Sequence, residues 1–219
     1  MLVIILAVTK AYDRFCIAGL NEDGQWVRPM PAEPSAIYPE TRFWTREQLL
    51  MNNGKFVMAG DVWDIDGRQP GQFLHPNHIE DYVVTRRTFA RSLSNKQLME
   101  FLRLHAEDVT AFNDTVMGRG RSLCLVNLRA FRTEVFYGDP KIYLSGNSFN
   151  LDNPHVNFKN YKIKDCKWAG LIMQGYQYSS FNEMYACIGL ATQWGGTEYP
   201  QLIGLHTMPE APYLSSYPD

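Results

Sequence analysis

Cysteine is scarce in this chain of 219 residues, and its few cysteines are widely separated. No two of them form a CxxC pair, and structural zinc sites normally need such closely spaced ligands. Each one lies in or beside an apolar run, which predicts buried, reduced thiols of a cytoplasmic protein. The four cysteines are Cys16, Cys124, Cys166 and Cys187.

The chain also lacks a membrane-spanning segment and a large excess of charge of one sign. Its apolar start, residues 1–8, is too short to cross a bilayer and carries no basic flank, so it predicts a first core strand and no membrane association. The net charge of −2 excludes a uniformly basic, histone-like protein. A local basic patch for nucleic acid is compatible with that total.

Familiar catalytic signatures are missing as well. The sequence contains no GxGxxG, GxxxxGK[ST], HExxH or GxSxG motif. Two groups of polar residues are candidates for a metal or acid–base site. The first is His75, His78, Glu80 and Asp81, and the second is Asp61, Asp64 and Asp66. Glu80 and Asp81 point to opposite sides of a strand, which favours hydrogen-bonding roles, and the three aspartates favour a solvated face. We therefore expect no metal and no cofactor.

The most informative stretch is residues 15–28, FCIAGLNEDGQWVR. Two apolar runs flank a polar loop that contains an Asp-Gly pair, and this pattern predicts a β-hairpin. The second strand leaves at Pro29, which has no N–H to continue a ladder. The hairpin would deliver Trp26 and Arg28 to the rim of a sheet, where they form a first candidate for a working surface.

The whole chain reads as strands, then a helix, then strands again. Apolar residues at helical spacing predict a helix over 95–105 that begins at Ser94 or Asn95, and a second short helix begins at Thr45. Every apolar run after Ser122 has strand character, including residues 168–173. Two similar segments, CIAGL at 16–20 and CIGLA at 187–191, indicate two related halves.

The strand count in each half fits a small five-stranded Greek-key barrel. We therefore predict an all-β fold with one or two short helices and two such barrels in tandem. The first barrel occupies residues 1–105 and ends in the connecting helix. The second barrel occupies residues 106–219 and ends in a tail with three prolines, loose or laid over the surface.

Several motifs, taken in order, resemble a known family. They are VIILAVTK, CIAGL–x5–WVRP, GDVWDID, HPNHIEDYVV, FKNYKIKDCKW and ACIGLATQW–x5–PQLIGLHTM. Together they resemble the dual OB domain family of bacterial proteins over residues 1–208. The resemblance implies two successive OB barrels and nucleic-acid binding, and it transfers no catalytic residue. In the KDCKW stretch only Asp165 is kept from the Thr-Asp-Pro type of turn expected there.

Basic residues cluster in three places: near Arg86 and Arg87, between Arg119 and Arg132, and from Lys159 to Lys167. Lys162 and Lys164 flank Ile163 in a strand and point away from it, beside Phe158, Tyr161 and Trp168. Lysines interleaved with aromatic rings are typical of single-strand binders, although a lysine-protected sheet edge is an alternative. Trp168 and Trp194 end apolar runs and are expected in the core. The predicted binding residues are Trp26, Arg28, Arg42, Trp44, Arg86, Arg87, Lys159, Lys162, Lys164 and Lys167.

The sequence therefore predicts a non-enzymatic protein that binds single-stranded or structured DNA or RNA through basic and aromatic barrel faces. A protein–protein adaptor that uses the same faces is the main alternative, and a small enzyme of unrecognised type is a third. An adaptor should show an apolar patch and little salt dependence. A nucleic-acid binder should show a basic groove and a steep salt dependence.

Overall fold

The computed structural model describes residues 1–11, 13–34, 42–51, 53–73, 75–146, 161–178, 180–191 and 198–219, and their strands form two closed barrels of five strands each. The first barrel consists of β1 (Leu2–Ala11), β2 (Arg14–Asn21), β3 (Trp26–Pro31), β4 (Asp61–Arg68) and β5 (Asp81–Ser92). The second consists of β6 (Leu123–Phe136), β7 (Asp139–Gly146), β8 (Tyr161–Ile163), β9 (Glu183–Ala191) and β10 (Tyr199–Met208).

Both barrels have the same strand order. In each, the first three strands are neighbours in sequence order, and the fifth strand lies between the third and the fourth. The third and fifth strands are parallel, as in the pairs β3–β5 and β8–β10, and the other neighbouring strands are antiparallel. This is the order of a five-stranded Greek-key OB barrel. The prediction of two OB-like barrels in tandem is confirmed.

The predicted hairpin is the connection between β2 and β3. Gly19 lies opposite Val27 and Leu20 lies opposite Trp26 in the antiparallel ladder. The side-chain oxygen of Asn21 accepts hydrogen bonds from backbone N–H groups of the turn, at 3.0 Å and 2.8 Å. Gly24 has φ +75°, a conformation that side chains with a Cβ adopt only with strain. The polar loop residues therefore close the turn as the sequence indicated.

Three α-helices occur among the described residues: α1 (Asn95–His105), α2 (Val109–Val116) and α3 (Cys166–Met173). The start of α1 is a capping box of Ser94 and Gln97, which agrees with the predicted helix. At Thr45 the predicted helix is a single 3-10 turn, Glu47–Leu49, held by reciprocal bonds between Thr45 and Gln48. The described part of the chain is thus mostly strands with three short α-helices, where the sequence predicted one or two.

The sequence missed α2, and the strand predicted over residues 168–173 is wrong because that segment belongs to α3. Each of these helices begins at an aspartate whose carboxylate accepts backbone N–H groups. Asp108 accepts from Ala111 at 2.9 Å, and Asp165 accepts from Lys167 and Trp168. A short apolar run fits a buried strand and a buried helix equally well, so only the cap separates them.

The two Cys-Ile segments occupy positions that are not equivalent. Residues 16–20 lie in β2, the second strand of the first barrel, whereas residues 187–191 lie in β9, the fourth strand of the second. The two barrels share a topology, but the similarity of these two segments does not reflect it, because they are different strands of their barrels. Both segments are buried wall strands with similar composition.

A third apolar cluster lies between the barrels, in addition to the core inside each one. The outward faces of β1 and β2 supply Leu6 and Leu20, and those of β6 and β9 supply Leu125 and Cys187. α1 adds Leu98, Met99 and Leu102 to the same cluster. The barrel walls are therefore apolar on both sides here, and each barrel shields the other from water.

The second half of the chain also supplies residues to the core of the first barrel. Cys166 at the start of α3 is buried in the core of the first barrel. The tail after β10 returns to that barrel, where the Tyr217 hydroxyl donates to the Val57 carbonyl at 2.9 Å. Lys10 pairs with Asp219 at 2.6 Å. The tail is thus laid over the surface, one of the two predicted arrangements, while the division of the chain at 105/106 stays a prediction.

All four cysteines are free thiols. Three of them are buried, whereas Cys16 is partly exposed, so the prediction of buried thiols is confirmed for three. Burial raises the pKa of the Cys124 thiol to about 12, so this thiol is protonated at neutral pH.

A close approach of β10 to β1 at Gly204 predicts how a substitution there affects stability. A Cβ on Gly204 of β10 would lie 2.5 Å from the carbonyl oxygen of Leu6 in β1. We expect Gly204→Ala to lower the free energy of unfolding by about 1–3 kcal/mol, because the two strands must move apart. Urea unfolding followed by tryptophan fluorescence and by far-UV circular dichroism measures the loss.

Gly71→Ala is the matched control, because a Cβ at Gly71 has no atom within 4 Å. The shared core further predicts one unfolding transition that both signals report at the same urea concentration. Two separate transitions, or an unchanged stability of Gly204→Ala, would contradict the tight packing of the barrels.

Candidate nucleic-acid interface

The outer surface of β7 and β8 carries a group of basic side chains. Side chains alternate across these strands, so Ile142, Tyr161 and Ile163 enter the core of the second barrel. Lys141 lies directly opposite Lys162 in the ladder and shares the outward direction. Lys164 follows one residue after β8. The prediction that Lys162 and Lys164 point away from Ile163 agrees with this arrangement.

Two acids lie among the lysines of this surface, namely Asp139 and Glu134, which is opposite Lys141 in the ladder. The Lys162 Nζ lies 2.8 Å from a carboxylate oxygen of Asp139, and this hydrogen bond lowers the pKa of Asp139. Partial burial lowers the pKa of Lys164, and the positive charges of Lys162 and Lys141 add to that effect. Like charges held this close repel one another, so an anion placed among them would be stabilised.

Aromatic side chains lie beside the lysines on the β6–β7 hairpin. The Arg132 guanidinium carbon is 4.1 Å from the centroid of the Tyr143 ring, and the Tyr143 hydroxyl donates to Glu134 at 2.7 Å. At the tip, Phe136 is 54% exposed and Tyr137 is 94% exposed. Tyr137 has φ +49°, so the turn itself holds this residue in a strained conformation.

We call this surface the β7–β8 face. It includes the end of β6 and the turn before β7, and it consists of Arg132, Glu134, Phe136, Tyr137, Asp139, Lys141, Tyr143, Lys162 and Lys164. The sequence missed its aromatic part. In the sequence, Phe136 and Tyr137 resemble the end of a strand. Gly138, which follows them, signals the turn that leaves the two rings exposed to water.

Two of the aromatic rings that the sequence placed among the lysines, Tyr161 and Trp168, lie in the core of the second barrel. Trp168 is fully buried, as expected for a core residue, and its Nε1 donates to the Leu205 carbonyl at 2.7 Å. Tyr161 is buried in the same core. Lys159, Phe158 and Trp194 lie outside the described residues.

Lys167 does not belong to the β7–β8 face. It lies in the first turn of α3, and its side chain is only 10% exposed. Its Nζ is 3.2 Å from Glu210 and 4.0 Å from the ring centroid of Tyr213, beside a cavity of about 20 Å³ between the barrels. The helix, which replaces the predicted strand, turns this lysine inward.

Trp26 and Arg28 lie at the junction of the barrels. The Trp26 Nε1 donates to Glu107 at 3.0 Å. The Arg28 guanidinium donates to Asp81 at 2.7 Å and to the Ser122 hydroxyl at 2.6 Å, and its side chain is only 13% exposed. The predicted working surface of the first barrel is thus covered by the chain that leads into the second.

The His and acid group is part of the same junction. The Glu80 carboxylate accepts hydrogen bonds from the Ser122 N–H at 2.9 Å, the Ser122 hydroxyl at 2.8 Å and the Leu123 N–H at 3.2 Å. Burial, with the charge of Arg28, lowers the pKa of His78 to about 2. Within the described residues no set of three or more His, Cys, Asp or Glu is arranged to hold a metal ion.

The remaining predicted residues lie on the first barrel. Trp44 is a core residue whose Nε1 donates to the Pro29 carbonyl at 2.8 Å, and Arg42 donates to the carbonyls of Pro31 and Ala32. Arg86 is exposed and pairs with Asp66 at 2.6 Å. Its neighbour Arg87 points the other way, toward the rings of Trp44 and Trp63.

Of the three aspartates expected on a solvated face, Asp64 and Asp66 pair with Arg86 at the surface. Asp61 is buried, so the prediction was wrong for that residue. Its carboxylate accepts from the Ser92 hydroxyl at 2.6 Å and the Met58 N–H at 2.9 Å, which joins β4 to the end of β5.

The two barrels differ in what covers the surface of their second and third strands. In the first barrel, Ala18 and Leu20 of β2 are buried in the inter-barrel cluster, and Trp26 packs against it from β3. In the second barrel, the outward residues of β7 and β8 include Lys141 and Lys162, both partly exposed. The described residues thus leave the second barrel with the open face.

Comparison with known proteins supports the topology. The family model described as "Dual OB-containing domain" matches residues 1–205. Searches of curated proteins and of solved structures each returned no match to the chain. None of the described helices has the length and apolar character needed to cross a membrane. Since the family match and the two barrels cover the same residues, the chain belongs to the dual OB-containing domain family.

Proposed function

We propose that this protein binds single-stranded nucleic acid through the β7–β8 face of its second barrel. The observation that carries the proposal is the open β7–β8 face, which holds four basic side chains and two acids in a chain of net charge −2. The second and third strands, with the loop between the first and second, are the surface on which OB barrels bind oligonucleotides. Here that loop is the tip of the β6–β7 hairpin.

The chemistry of the face suits a single strand better than a duplex. Lys141, Lys162 and Lys164 can neutralise successive phosphates, while Phe136 and Tyr137 offer ring surfaces on which unpaired bases stack. The bases of a duplex are already stacked on one another, so they offer few free faces on which an exposed aromatic side chain could stack. Binding of this kind tolerates many sequences because every base has a π face.

The adaptor alternative draws on one observation at the same place. Val135, Phe136 and Tyr137 form an exposed apolar tip, and such tips also dock proteins. The lysines beside the tip favour nucleic acid, because a docked apolar surface would leave their charges without a partner. Salt dependence separates the two functions.

The first test reverses charge on the face. Lys162→Glu combined with Lys164→Glu should weaken the binding of a labelled single strand by at least tenfold, because two phosphate contacts become repulsive. The log–log salt slope should flatten by about 0.7 for each lost contact. Fluorescence anisotropy with single-stranded DNA and RNA at several salt concentrations provides both values.

Lys55→Glu combined with Lys96→Glu is the control, since it alters net charge equally at exposed residues distant in sequence. This control variant should bind as the wild type does. If the wild type itself does not bind at low salt, or binds without salt dependence, the nucleic-acid proposal is wrong and the adaptor takes its place.

The second test removes a ring. Tyr137→Ala should cost about 1–3 kcal/mol of binding free energy and leave the salt slope unchanged, because stacking involves no counterion release. Leu104→Ala serves as the control, because Leu104 is also highly exposed but lies on α1. Equal losses in the two variants would show that the hairpin tip does not contact bases.

A further inference from the structure

The first barrel contains an arginine, Arg87, that points toward its core. Arg87 of β5 lies opposite Ile65 of β4 in the ladder, and the Ile65 side chain is buried in the barrel core. Residues paired across antiparallel strands share a face, so Arg87 is directed inward. Its neighbour Arg86 is directed outward, toward Asp66. The inward direction of Arg87 is unusual because barrel interiors exclude charge.

The guanidinium of Arg87 contacts the rings of two tryptophans in the core. The guanidinium carbon of Arg87 is 4.6 Å from the ring centroid of Trp44 and 4.9 Å from that of Trp63. The two rings meet edge to face, with centroids 6.2 Å apart and planes at 89°. Contact with two aromatic faces stabilises a cation but supplies no hydrogen-bond acceptor in the plane of the guanidinium.

Two donors at this place have no acceptor within the described part of the chain. They are Nη1 of Arg87 and Nε1 of Trp63, both shielded from solvent, and Trp63 is only 3% exposed. By contrast, the ring nitrogens of Trp44 and Trp168 each donate to a backbone carbonyl. A buried donor left unsatisfied costs free energy, so these two atoms indicate a missing acceptor.

Within the described ranges, the charge of Arg87 has no carboxylate partner. Burial alone lowers the pKa of its guanidinium. Arg86, one residue earlier, pairs with both Asp64 and Asp66. An unpaired cation in a low-dielectric environment attracts an anion far more strongly than a solvated one does.

We propose that Arg87 and Trp63 form a second binding site, for the phosphate group of a ligand, beside the Trp44 and Trp63 rings of the first barrel. A phosphate carries several oxygens in different directions, so it can accept from both side chains at once, and guanidinium groups bind it through paired donors. This site is separate from the β7–β8 face and does not rest on the function proposed for that face.

Thermal denaturation in sodium phosphate tests the site, with sodium chloride and sodium acetate at equal ionic strength as references. The wild-type midpoint should rise with phosphate concentration, because a ligand of the folded state stabilises it. Arg87→Met removes the charge and keeps an apolar stem, so it should abolish the rise. Without phosphate its midpoint should equal or exceed that of the wild type, because a partly buried charge is gone.

Two further variants keep the test decisive. Arg86→Met, a change of the same kind one residue away, should retain the full phosphate response. Trp63→Phe keeps a ring but removes the donor, and it should weaken phosphate binding measured by titration calorimetry by about tenfold or more. The variant with both Lys162→Glu and Lys164→Glu should still respond to phosphate, which separates the two sites.

Three results would overturn the site. They are a wild-type midpoint that rises no more in phosphate than in chloride, an equal response to acetate, and a phosphate response that survives in Arg87→Met. A lower midpoint of Arg87→Met without phosphate would assign Arg87 a packing role instead. If Arg87→Met does not fold, an unweakened phosphate affinity of Trp63→Phe contradicts the proposal.

Discussion

Apolar contact between the two barrels is the constraint on which the rest of the structure depends. The outward faces of β1 and β2 pack on those of β6, β9 and β10, and the backbones come so close at Gly204 that a side chain cannot fit. Polar groups follow the same contact, as Glu80 accepts three hydrogen bonds from Ser122 and Leu123. The contact covers the ligand face that an isolated first barrel would offer. The corresponding β7–β8 face of the second barrel stays open among the described residues.

Local sequence patterns predicted the features that depend on neighbours in the chain. The turn of the β2–β3 hairpin, the capping box at Ser94 and the outward direction of Lys162 follow from loop chemistry or strand alternation. The helix α3 was missed because an eight-residue apolar segment has no period of its own that excludes a strand. Asp165, whose carboxylate caps that helix, was the available signal in the sequence.

The candidate site was predictable only in part, because exposure is a property of tertiary packing. Strand alternation correctly predicted that Lys162 and Lys164 point outward. Trp26 and Arg28, by contrast, lie at the junction of the barrels, where they donate hydrogen bonds to Glu107, Asp81 and Ser122. Nothing in the residues around Trp26 indicates that a second barrel will cover them. The exposed rings of Phe136 and Tyr137 depend in the same way on a hairpin that extends beyond the barrel wall.

The central claim is that a single strand contacts the second barrel and leaves the first barrel's β2–β3 surface untouched. Photo-crosslinking with a single strand that carries halogenated uracil, followed by peptide mass spectrometry, tests this most directly because it reports the contacted residues without any substitution. Crosslinks should form on Phe136, Tyr137 or Tyr143 of the β6–β7 hairpin. Crosslinks concentrated on Trp26 and the β2–β3 hairpin, with none on the β6–β7 hairpin, would contradict the claim.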